Sequence, residues 1–467
     1  MAPKFGTSGV RGLVTELTDE VVTSYTKAFL SECDAGDAVY VGWDLRESSP
    51  LIAEVVMRSV QDMGKKVVNC GVLPTPALAL AADNADSGAI MITGSHIPAD
   101  RNGIKFYTRA GEISKADEAK IVASLAKQHQ AQSNDNPRID AADDAKAAYI
   151  QRYATAFGAD ALNGLRIGVY QHSSVARDIL VEMVTQLGAK AIPLERTSHF
   201  VPVDTEAVDP TSRAKFAEWC ETHKLDALIS TDGDADRPMV TDHSGQIVPG
   251  DVLGVLTALY LKADTICTPV SSNSMIMSMD AFSDIQLTKI GSPFVVAAIE
   301  EVLAKNTEAR VVGYEANGGF LLGYTHQTNA GELRPLLTRD CALPIVASLA
   351  SAVRAGLSLA ELTATLPSRF SAADRIAGIQ TATSAAFLAD LIADPQKRTA
   401  FFDMPAVEAK VDTTDGLRVT FANEEVVHLR PSGNAPEFRC YAEAETADRA
   451  RALVDLHLSK VAAQLAS

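Results

Sequence analysis

The sequence lacks the cysteine spacing that builds zinc sites and disulfide frameworks. Its six cysteines stand at positions 33, 70, 220, 267, 341 and 440, and none forms a C-x-x-C pair, so neither kind of site is indicated. The longest apolar run, Val252–Leu261, is too short for the roughly 20 residues of a membrane-spanning helix. The first residues contain no apolar signal core. We therefore expect a soluble, cytoplasmic protein.

A surplus of positive charge is also absent. The chain has 42 lysines and arginines against 59 aspartates and glutamates, for a net charge of −17. This charge disfavours nucleic acid and anionic membranes as partners. An anionic substrate would need local positive charge, so arginines and lysines inside polar loops are candidate binding residues.

The chain repeats one plan three times. At 467 residues with 47% apolar content, it predicts three or four globular domains. Strand–helix–strand units begin near Ala38, Arg166 and Thr265 and are typical of parallel βαβ folding. After each unit come two strands joined by a polar loop. Matching loops in similar domains predict one shared cleft.

The C-terminal part follows a different pattern, in which apolar and polar residues alternate as in an antiparallel sheet. We therefore predict an α/β protein in which three similar α/β domains with mixed sheets and a C-terminal α+β domain surround a central cleft. The predicted domains are residues 1–145, 146–250, 251–367 and 368–467.

Three aspartates alternate in the second polar loop, at Asp232, Asp234 and Asp236, with Arg237 directly behind them. Carboxylates this close repel one another unless a cation lies between them, and oxygen ligands suit Mg²⁺. An arginine beside such an ion is a common arrangement for handling a phosphoryl group. An EF-hand is excluded because Arg237 and His243 stand where it needs Gly and Glu. A plain Asp/Gly turn is the alternative.

The first polar loop carries Ser95 beside His96, with Lys105 just past the turn. A serine next to a histidine is a candidate nucleophile for phosphoryl or acyl transfer. The G-x-S-x-G elbow of hydrolases is missing, so acyl transfer is disfavoured. A serine that only caps a turn is the alternative.

Two further loops suit a phosphorylated sugar. Glu315 and Asn317 lie among glycines and could bind neighbouring hydroxyls, although Asn-Gly is also a strong turn signal. The segment Arg430–Asn434, with Arg439 nearby, could cradle a phosphate or form a surface turn. Arg11, in a glycine-spaced N-terminal segment, belongs either to a loop folded onto an anion or to a flexible tail.

Five ordered segments together resemble the α-D-phosphohexomutase superfamily, and the resemblance covers essentially the whole chain. They are FGTSGVRG at the start, TGSHIPADRNGIKFY around Ser95, DGDADR from Asp232, YEANGG from Tyr314 and RPSGNAPEFRCY from Arg430.

The resemblance implies a role for each loop. Ser95 would be a phosphoserine whose phosphate completes a Mg²⁺ site with the three aspartates. Arg237 would contact this phosphoserine, while His96 and Lys105 would assist proton transfer. The residues expected to bind substrate are Arg11, Glu315, Asn317, Arg430, Ser432, Gly433, Asn434 and Arg439, with Lys289 as a further cationic candidate.

The implied activity is the interconversion of hexose 1-phosphate and hexose 6-phosphate through a 1,6-bisphosphate, which also serves as activator. The YEANGG segment resembles bacterial phosphomannomutases, so mannose phosphates are the expected substrates. Phosphoglucomutase or dual activity is the close alternative. More remote are a haloacid-dehalogenase-like phosphatase with Asp232 as nucleophile and a non-catalytic phosphosugar sensor.

The sequence departs from the family's usual pattern at three positions. Ile97, Asn317 and Asn434 stand where the family commonly has Asn, Ser and Thr. These changes leave the implied reaction intact but weaken any statement about which sugar is used.

Overall fold

The computed structural model describes residues 3–6, 9–127, 137–431 and 437–465. Its large sheets have eight, five, five and five strands. Each is formed by one continuous part of the chain, which we call the first to fourth units. The predicted α/β architecture, with three similar units and a different C-terminal one, is confirmed.

The first unit holds the eight-stranded sheet, in the order β1-β2-β6-β5-β3-β4-β8 with β7 beside β6. Its strands are β1 Lys4–Phe5, β2 Val10–Leu13, β3 Ala38–Trp43, β4 Lys66–Val72, β5 Gly88–Ile92, β6 Arg101–Thr108, β7 Gly111–Glu112 and β8 Arg138–Asp140. Its helices are α1 Asp19–Glu32, α2 Ser49–Asp62, α3 Thr75–Asn84, α4 Lys115–Ser124 and α5 Ala142–Phe157.

The N-terminal segment is neither a tail nor only a loop. Strand β2 pairs antiparallel with β6, with Arg11 opposite Gly103, so backbone pairing fixes Arg11 beside the serine loop. The segment carries no strand pattern of its own, because it is rich in glycine.

The second and third units repeat one topology, in which parallel strands are followed by an antiparallel pair. The second has β9 Arg166–His172, α6 Arg177–Gln186, β10 Lys190–Arg196, α7 Pro210–His223, β11 Ala227–Thr231, β12 Pro238–Thr241 and β13 Ile247–Val248. The third has α8 Gly250–Leu261, β14 Thr265–Pro269, a 3₁₀ turn Ser274–Ser278, β15 Asp284–Thr288, α9 Ser292–Lys305, β16 Val311–Tyr314, β17 Phe320–Leu322, β18 His326–Gln327, β19 Glu332–Leu333, β20 Leu336–Asp340, α10 Ala342–Ala355 and α11 Leu359–Thr363.

The fourth unit is an antiparallel sheet in the order β21-β25-β24-β23-β22. Its elements are β21 Phe370–Ala377, α12 Thr381–Ala393, α13 Pro395–Phe402, β22 Glu408–Asp412, β23 Leu417–Phe421, β24 Val426–Pro431, β25 Glu437–Ala444 and α14 Ala447–Leu465. Strand β21 was not predicted, because its sequence shows no clean apolar alternation and most of its residues are exposed.

Local signals set several helix ends. Capping boxes begin α4 at Ser114 and α11 at Ser358, satisfying backbone N–H groups that have no helical partner. Helix α10 ends at Gly356, which adopts φ +67°, a left-handed conformation that glycine tolerates.

One apolar core extends through the first three units, whereas the fourth unit has its own. Helix α5 ties the first two units to the third: Tyr149 donates a 2.6 Å hydrogen bond to Asp340, and Tyr153 donates to the same carboxylate. Polar bonds link the fourth unit to the third, such as Ile290 N to Asp415 Oδ2 at 2.9 Å. The first three units are therefore joined by a shared apolar core, to which the fourth unit is attached by polar contacts.

In the described parts of the chain, no helix combines the length and apolarity needed to cross a bilayer.

We predict that His428 makes the fourth unit sensitive to acid. Its buried Nε2–H donates to the Asp415 carbonyl at 2.5 Å, its ring stacks on Tyr441, and its Nδ1 has no hydrogen-bond partner among the described residues. Burial lowers the pKa of His428 to about 4. Since an unfolded histidine has a pKa of about 6.5, the unfolded chain takes up a proton first. Stability is thus complete above about pH 6.5 and falls as the pH drops towards 4, by up to about 3 kcal/mol.

Differential scanning calorimetry of His428→Gln tests this, because the variant should lose less thermal stability than the wild type between neutral pH and pH 5. The control is His243→Gln, at an exposed histidine. An unchanged pH dependence in His428→Gln would contradict the prediction.

Candidate active site

The three aspartates of the second unit form a buried cluster between β11 and β12. Asp232, Asp234 and Asp236 each offer a carboxylate oxygen, and these oxygens lie within 4.8 Å of one another. Ala235 adopts φ +58°, which folds the intervening chain tightly. Three buried carboxylates at this spacing require positive charge nearby.

Two cations from other units supply part of that charge. Lys105 Nζ of β6 donates to Asp234 Oδ2 and Asp236 Oδ2, both at 2.6 Å, and Arg339 Nη2 of β20 donates to Asp236 Oδ2 at 2.5 Å. Burial alone would lower the pKa of Lys105, but the two aspartates raise it. Burial likewise opposes ionisation of Asp236, yet Arg339 and Lys105 hold its pKa well below the usual range. Lys105 is therefore a cation at neutral pH.

The first unit adds a neutral donor to the cluster. At the start of α3, Thr75 Oγ1 donates to Asp234 Oδ2 at 2.7 Å and Thr75 N donates to the Asp234 carbonyl at 2.9 Å. This contact cannot be predicted from a local pattern, because Thr75 and Asp234 are far apart in the sequence and meet only in the folded chain.

The cluster fits a divalent cation. Asp234 Oδ1 and Asp236 Oδ1 are buried and accept no hydrogen bond from the described residues. Unsatisfied buried acceptors of this kind are rare and costly. Burial, together with Asp234 and Asp236, raises the pKa of Asp232 well above its usual value. A bound hard cation would satisfy these oxygens and favour ionised Asp232.

Ser95 meets this cluster directly. The residue is fully buried, and its Oγ donates to Asp232 Oδ2 at 2.5 Å and lies 3.2 Å from His96 Nδ1. Ser95 also adopts φ +54°, a left-handed conformation that is uncommon for a non-glycine residue and is found at functional sites. The fold thus brings the predicted nucleophile to the predicted metal ligands.

Arg46 holds the serine loop in this conformation. Its buried guanidinium lies 4.0 Å from the centre of the Phe200 ring and pairs with Asp44 at 3.1 Å. Gly94 has no room for a side chain, since a Cβ there would lie 2.6 Å from Arg46 Cζ. The carbonyls that accept hydrogen bonds from Arg46 are those of Ser95, Ile97, Pro98 and Arg101. Arg46 was not among the predicted site residues, although its place just after β3 was a possible signal.

The third loop faces the same cluster. Glu315 Oε2 accepts from Arg339 Nη1 at 3.2 Å, and both side chains are buried. Asn317 Oδ1 accepts from Gly319 N at 2.9 Å, so this amide shapes its own turn. Arg339 was not among the predicted site residues, because β20 carries no loop motif.

Further cations surround the cluster. Arg237 Nε lies 3.8 Å from Asp236 Oδ1. Burial, with repulsion from Arg237 and Arg339, lowers the pKa of Arg11 to about 10. Burial, with Arg237 and Arg11, also lowers the pKa of His96 well below its usual value, so this imidazole is neutral. The local positive charge offsets the overall charge of −17.

The remaining predicted residues make contacts outside the aspartate cluster. Lys289 is exposed, with its Nζ 5.9 Å from the centre of the Phe294 ring. In the fourth unit, Arg430 and Arg439 are cross-strand neighbours on β24 and β25, and Arg430 Nε lies 3.3 Å from Asp415 Oδ1. The predicted phosphate-loop residues outside the described part of the chain are Ser432, Gly433 and Asn434.

Glu206 lies beside the aspartate loop. Its exposed carboxylate lies 3.6 Å from Arg237 Nη1, so it pairs with the arginine that follows the three aspartates.

Comparison with protein families matches all four parts of the chain. The models described as phosphoglucomutase/phosphomannomutase alpha/beta/alpha domains I, II and III match residues 2–132, 147–245 and 249–370, and the C-terminal domain model matches residues 388–457.

Individual proteins agree with the family models. The chain is 44% identical to a phosphomannomutase of Sinorhizobium fredii, over 97% of this chain and 98% of that protein. It is 41% identical to a phosphomannomutase of Salmonella muenchen, over 99% and 96%. A phosphoglucomutase/phosphomannomutase family protein of Burkholderia thailandensis shares the fold, with a TM-score of 0.77 at 21% identity over 98% and 97% of the two chains.

We predict that Mg²⁺ stabilises the protein through the aspartate cluster. A ligand that binds only the folded state at 100 times its Kd adds about 2.7 kcal/mol, so the thermal midpoint should rise with Mg²⁺ concentration. Asp236→Asn should lose most of this shift. Asp242→Asn, which alters a turn aspartate outside the cluster, should keep it. Equal Mg²⁺ shifts in both variants would refute a metal site at the cluster.

We also predict that Arg46→Lys loosens the serine loop. A lysine ammonium cannot reproduce the several hydrogen bonds of the planar Arg46 guanidinium. Each lost hydrogen bond from a charged donor costs about 1.5–3 kcal/mol. Amide hydrogen exchange in residues 94–101 should therefore accelerate by about 100-fold. Arg101→Lys, at the exposed arginine that begins β6, is the control. Protection equal to that of the wild type would show that Arg46 does not hold the loop.

Proposed function

The chain belongs to the phosphoglucomutase/phosphomannomutase family, and on that premise we propose that it interconverts mannose 1-phosphate and mannose 6-phosphate. The observation that carries this proposal is Ser95 Oγ, buried 2.5 Å from Asp232 Oδ2 beside a cluster fit for a divalent cation. Two relatives with identities above 40% over nearly their whole lengths are named phosphomannomutases, which favours mannose phosphates over other hexose phosphates.

Asp232, Asp234 and Asp236 would hold Mg²⁺. The ion would offset the negative charge of the phosphoryl group in transfer. The two unsatisfied carboxylate oxygens of the cluster support this assignment. A hexose 1,6-bisphosphate would be the activator that first phosphorylates Ser95.

The phosphoryl group would be carried on Ser95 Oγ. Its transfer breaks the P–Oγ bond and forms a P–O bond to the 6-hydroxyl of mannose 1-phosphate, giving the 1,6-bisphosphate. The neutral state of His96 suits it to accept the hydroxyl proton. Lys105 is held protonated by two aspartates, which suits it to donate a proton to the departing oxygen. Arg237 would add positive charge beside the transferring group.

The second half of the reaction uses the other phosphate of the same intermediate. The bisphosphate would turn around and return its 1-phosphoryl group to Ser95, leaving mannose 6-phosphate. Glu315 and Asn317 would bind sugar hydroxyls, and Arg11 would lie in the cleft. The phosphate that is not reacting would be held by Arg430, Ser432, Gly433, Asn434 and Arg439, with Lys289 as a further contact.

We predict that Ser95→Ala abolishes mutase activity. Loss of a covalent nucleophile lowers kcat by about 10⁴-fold or more, whereas Ser459→Ala, at an exposed serine of α14, should behave as wild type. Rates on mannose, glucose and glucosamine 1-phosphates, measured side by side with Mg²⁺ and a trace of bisphosphate, should be highest for mannose. A fully active Ser95→Ala variant would overturn the proposal.

The same assays distinguish the other hypotheses. Equal rates on mannose and glucose phosphates would indicate dual specificity. An acyl phosphate on Asp232, as in a haloacid-dehalogenase-like enzyme, would be cleaved by hydroxylamine, while a phosphoserine would survive. Tight binding without any product would indicate a sensor.

A further inference from the structure

Arg339 spans two loops that come from different units. Its side chain is 5% exposed. One guanidinium nitrogen donates to Glu315 Oε2 at 3.2 Å and the other to Asp236 Oδ2 at 2.5 Å. A single planar group therefore joins the third loop to the aspartate loop.

The aliphatic part of the Arg339 side chain, which we call its arm, is closely packed. A Cβ built on Gly319 would lie 2.7 Å from Arg339 Cδ and 2.8 Å from Arg339 Cγ. Arg339 therefore occupies space that any side chain at position 319 would fill. The position of Arg339 thus depends on glycine at position 319.

The backbone that carries Arg339 is also held in place, at the end of β20. The next residue, Asp340, accepts hydrogen bonds from Tyr149 and Tyr153 of α5 and, at 2.9 Å, from Ala342 N. Arg339 therefore extends from a rigid part of the shared core, which suits a residue that must hold others in place.

The two carboxylates that Arg339 joins have different tasks in the proposed reaction. Asp236 belongs to the metal-binding cluster, and Glu315 would bind sugar hydroxyls. In the proposed reaction, the distance between Glu315 and Asp236 would set how far the sugar lies from the phosphoryl group. A planar fork can fix two carboxylates relative to each other, whereas an ammonium group is a point charge that cannot.

We propose that Arg339 is a positioning residue that fixes Glu315 relative to Asp236 and thereby orients the sugar for phosphoryl transfer. This inference rests on the proposed function. A misplacement of about 1 Å at a reacting centre can lower the rate by about 100-fold. Loss of Arg339 should therefore lower kcat more than it raises KM.

A double-mutant cycle tests the inference. The variants are Arg339→Ala, Glu315→Gln and the double variant, assayed with mannose 1-phosphate at saturating Mg²⁺. If Arg339 acts through Glu315, each single change should lower kcat/KM by about 100-fold or more, and the double variant should be little worse than Arg339→Ala alone. Independent effects would multiply and would overturn the inference.

The matched control is Arg398, a buried arginine of the fourth unit whose Nε donates to Glu408 at 2.9 Å. Arg398→Ala removes a buried ion pair, but its effect should multiply with that of Glu315→Gln. Millimolar guanidinium should partly restore Arg339→Ala and should not restore Arg398→Ala. A purely structural role for Arg339 would produce neither the coupling nor this selective rescue.

Two milder variants keep the test usable if Arg339→Ala does not fold. Arg339→Lys keeps the charge without the fork, and Gly319→Ala keeps the arginine but displaces its arm. Both should lower kcat and couple to Glu315→Gln. Wild-type kinetics in both would overturn the inference alone, whereas a wild-type protein that converts no hexose phosphate would overturn the proposed function as well.

Discussion

The neutralisation of the buried aspartates by Lys105 and Arg339 is the interaction on which the site depends. Both cations share Asp236 Oδ2, at 2.6 Å and 2.5 Å. Each comes from a different unit, so the cluster is complete only when three units are docked. Removing one partner from a buried ion pair costs about 3–5 kcal/mol. The charges that would take part in the chemistry therefore also hold the three units together.

The serine loop depends on the same assembly. Ser95 has a strained backbone, with φ +54°. Its carbonyl accepts a hydrogen bond from Arg46, and its Oγ donates one to Asp232. A strained backbone conformation persists only where the surrounding structure enforces it, so an isolated loop would not keep the Ser95 hydroxyl buried beside the carboxylates. The shared core of the first three units, anchored by the bonds from α5 to Asp340, provides the rigidity that this strain requires.

Much of the fold and the centre of the site could be predicted from the sequence. Loops at strand ends are local features, so Ser95, Asp232 and Lys105 could be found by motif and spacing. Arg46 and Arg339 could not, because their partners meet them only through long-range packing. Only the resemblance to the family points to Lys289, which is exposed and lies over the ring of Phe294. Strand β21 escaped detection because its pairing with β25, not its own apolar pattern, makes it a strand.

The fourth unit differs from the rest in how it is attached. It has a separate core and meets the third unit through polar bonds such as those of Asp415 and Glu443. Interfaces of this kind permit relative motion more readily than a shared apolar core does. Such freedom suits a reaction in which one intermediate must turn around within the cleft.

The proposed reaction requires that Ser95 carries the phosphoryl group that the sugar receives. Enzyme labelled at Ser95 with radioactive phosphate, mixed rapidly with unlabelled mannose 1-phosphate, would show where that group goes. We expect label to leave the Ser95 peptide and to enter first the 1,6-bisphosphate and then mannose 6-phosphate, at least as fast as turnover. Label that stays on Ser95 through many turnovers, or that is released only as inorganic phosphate, would rule out this role for Ser95.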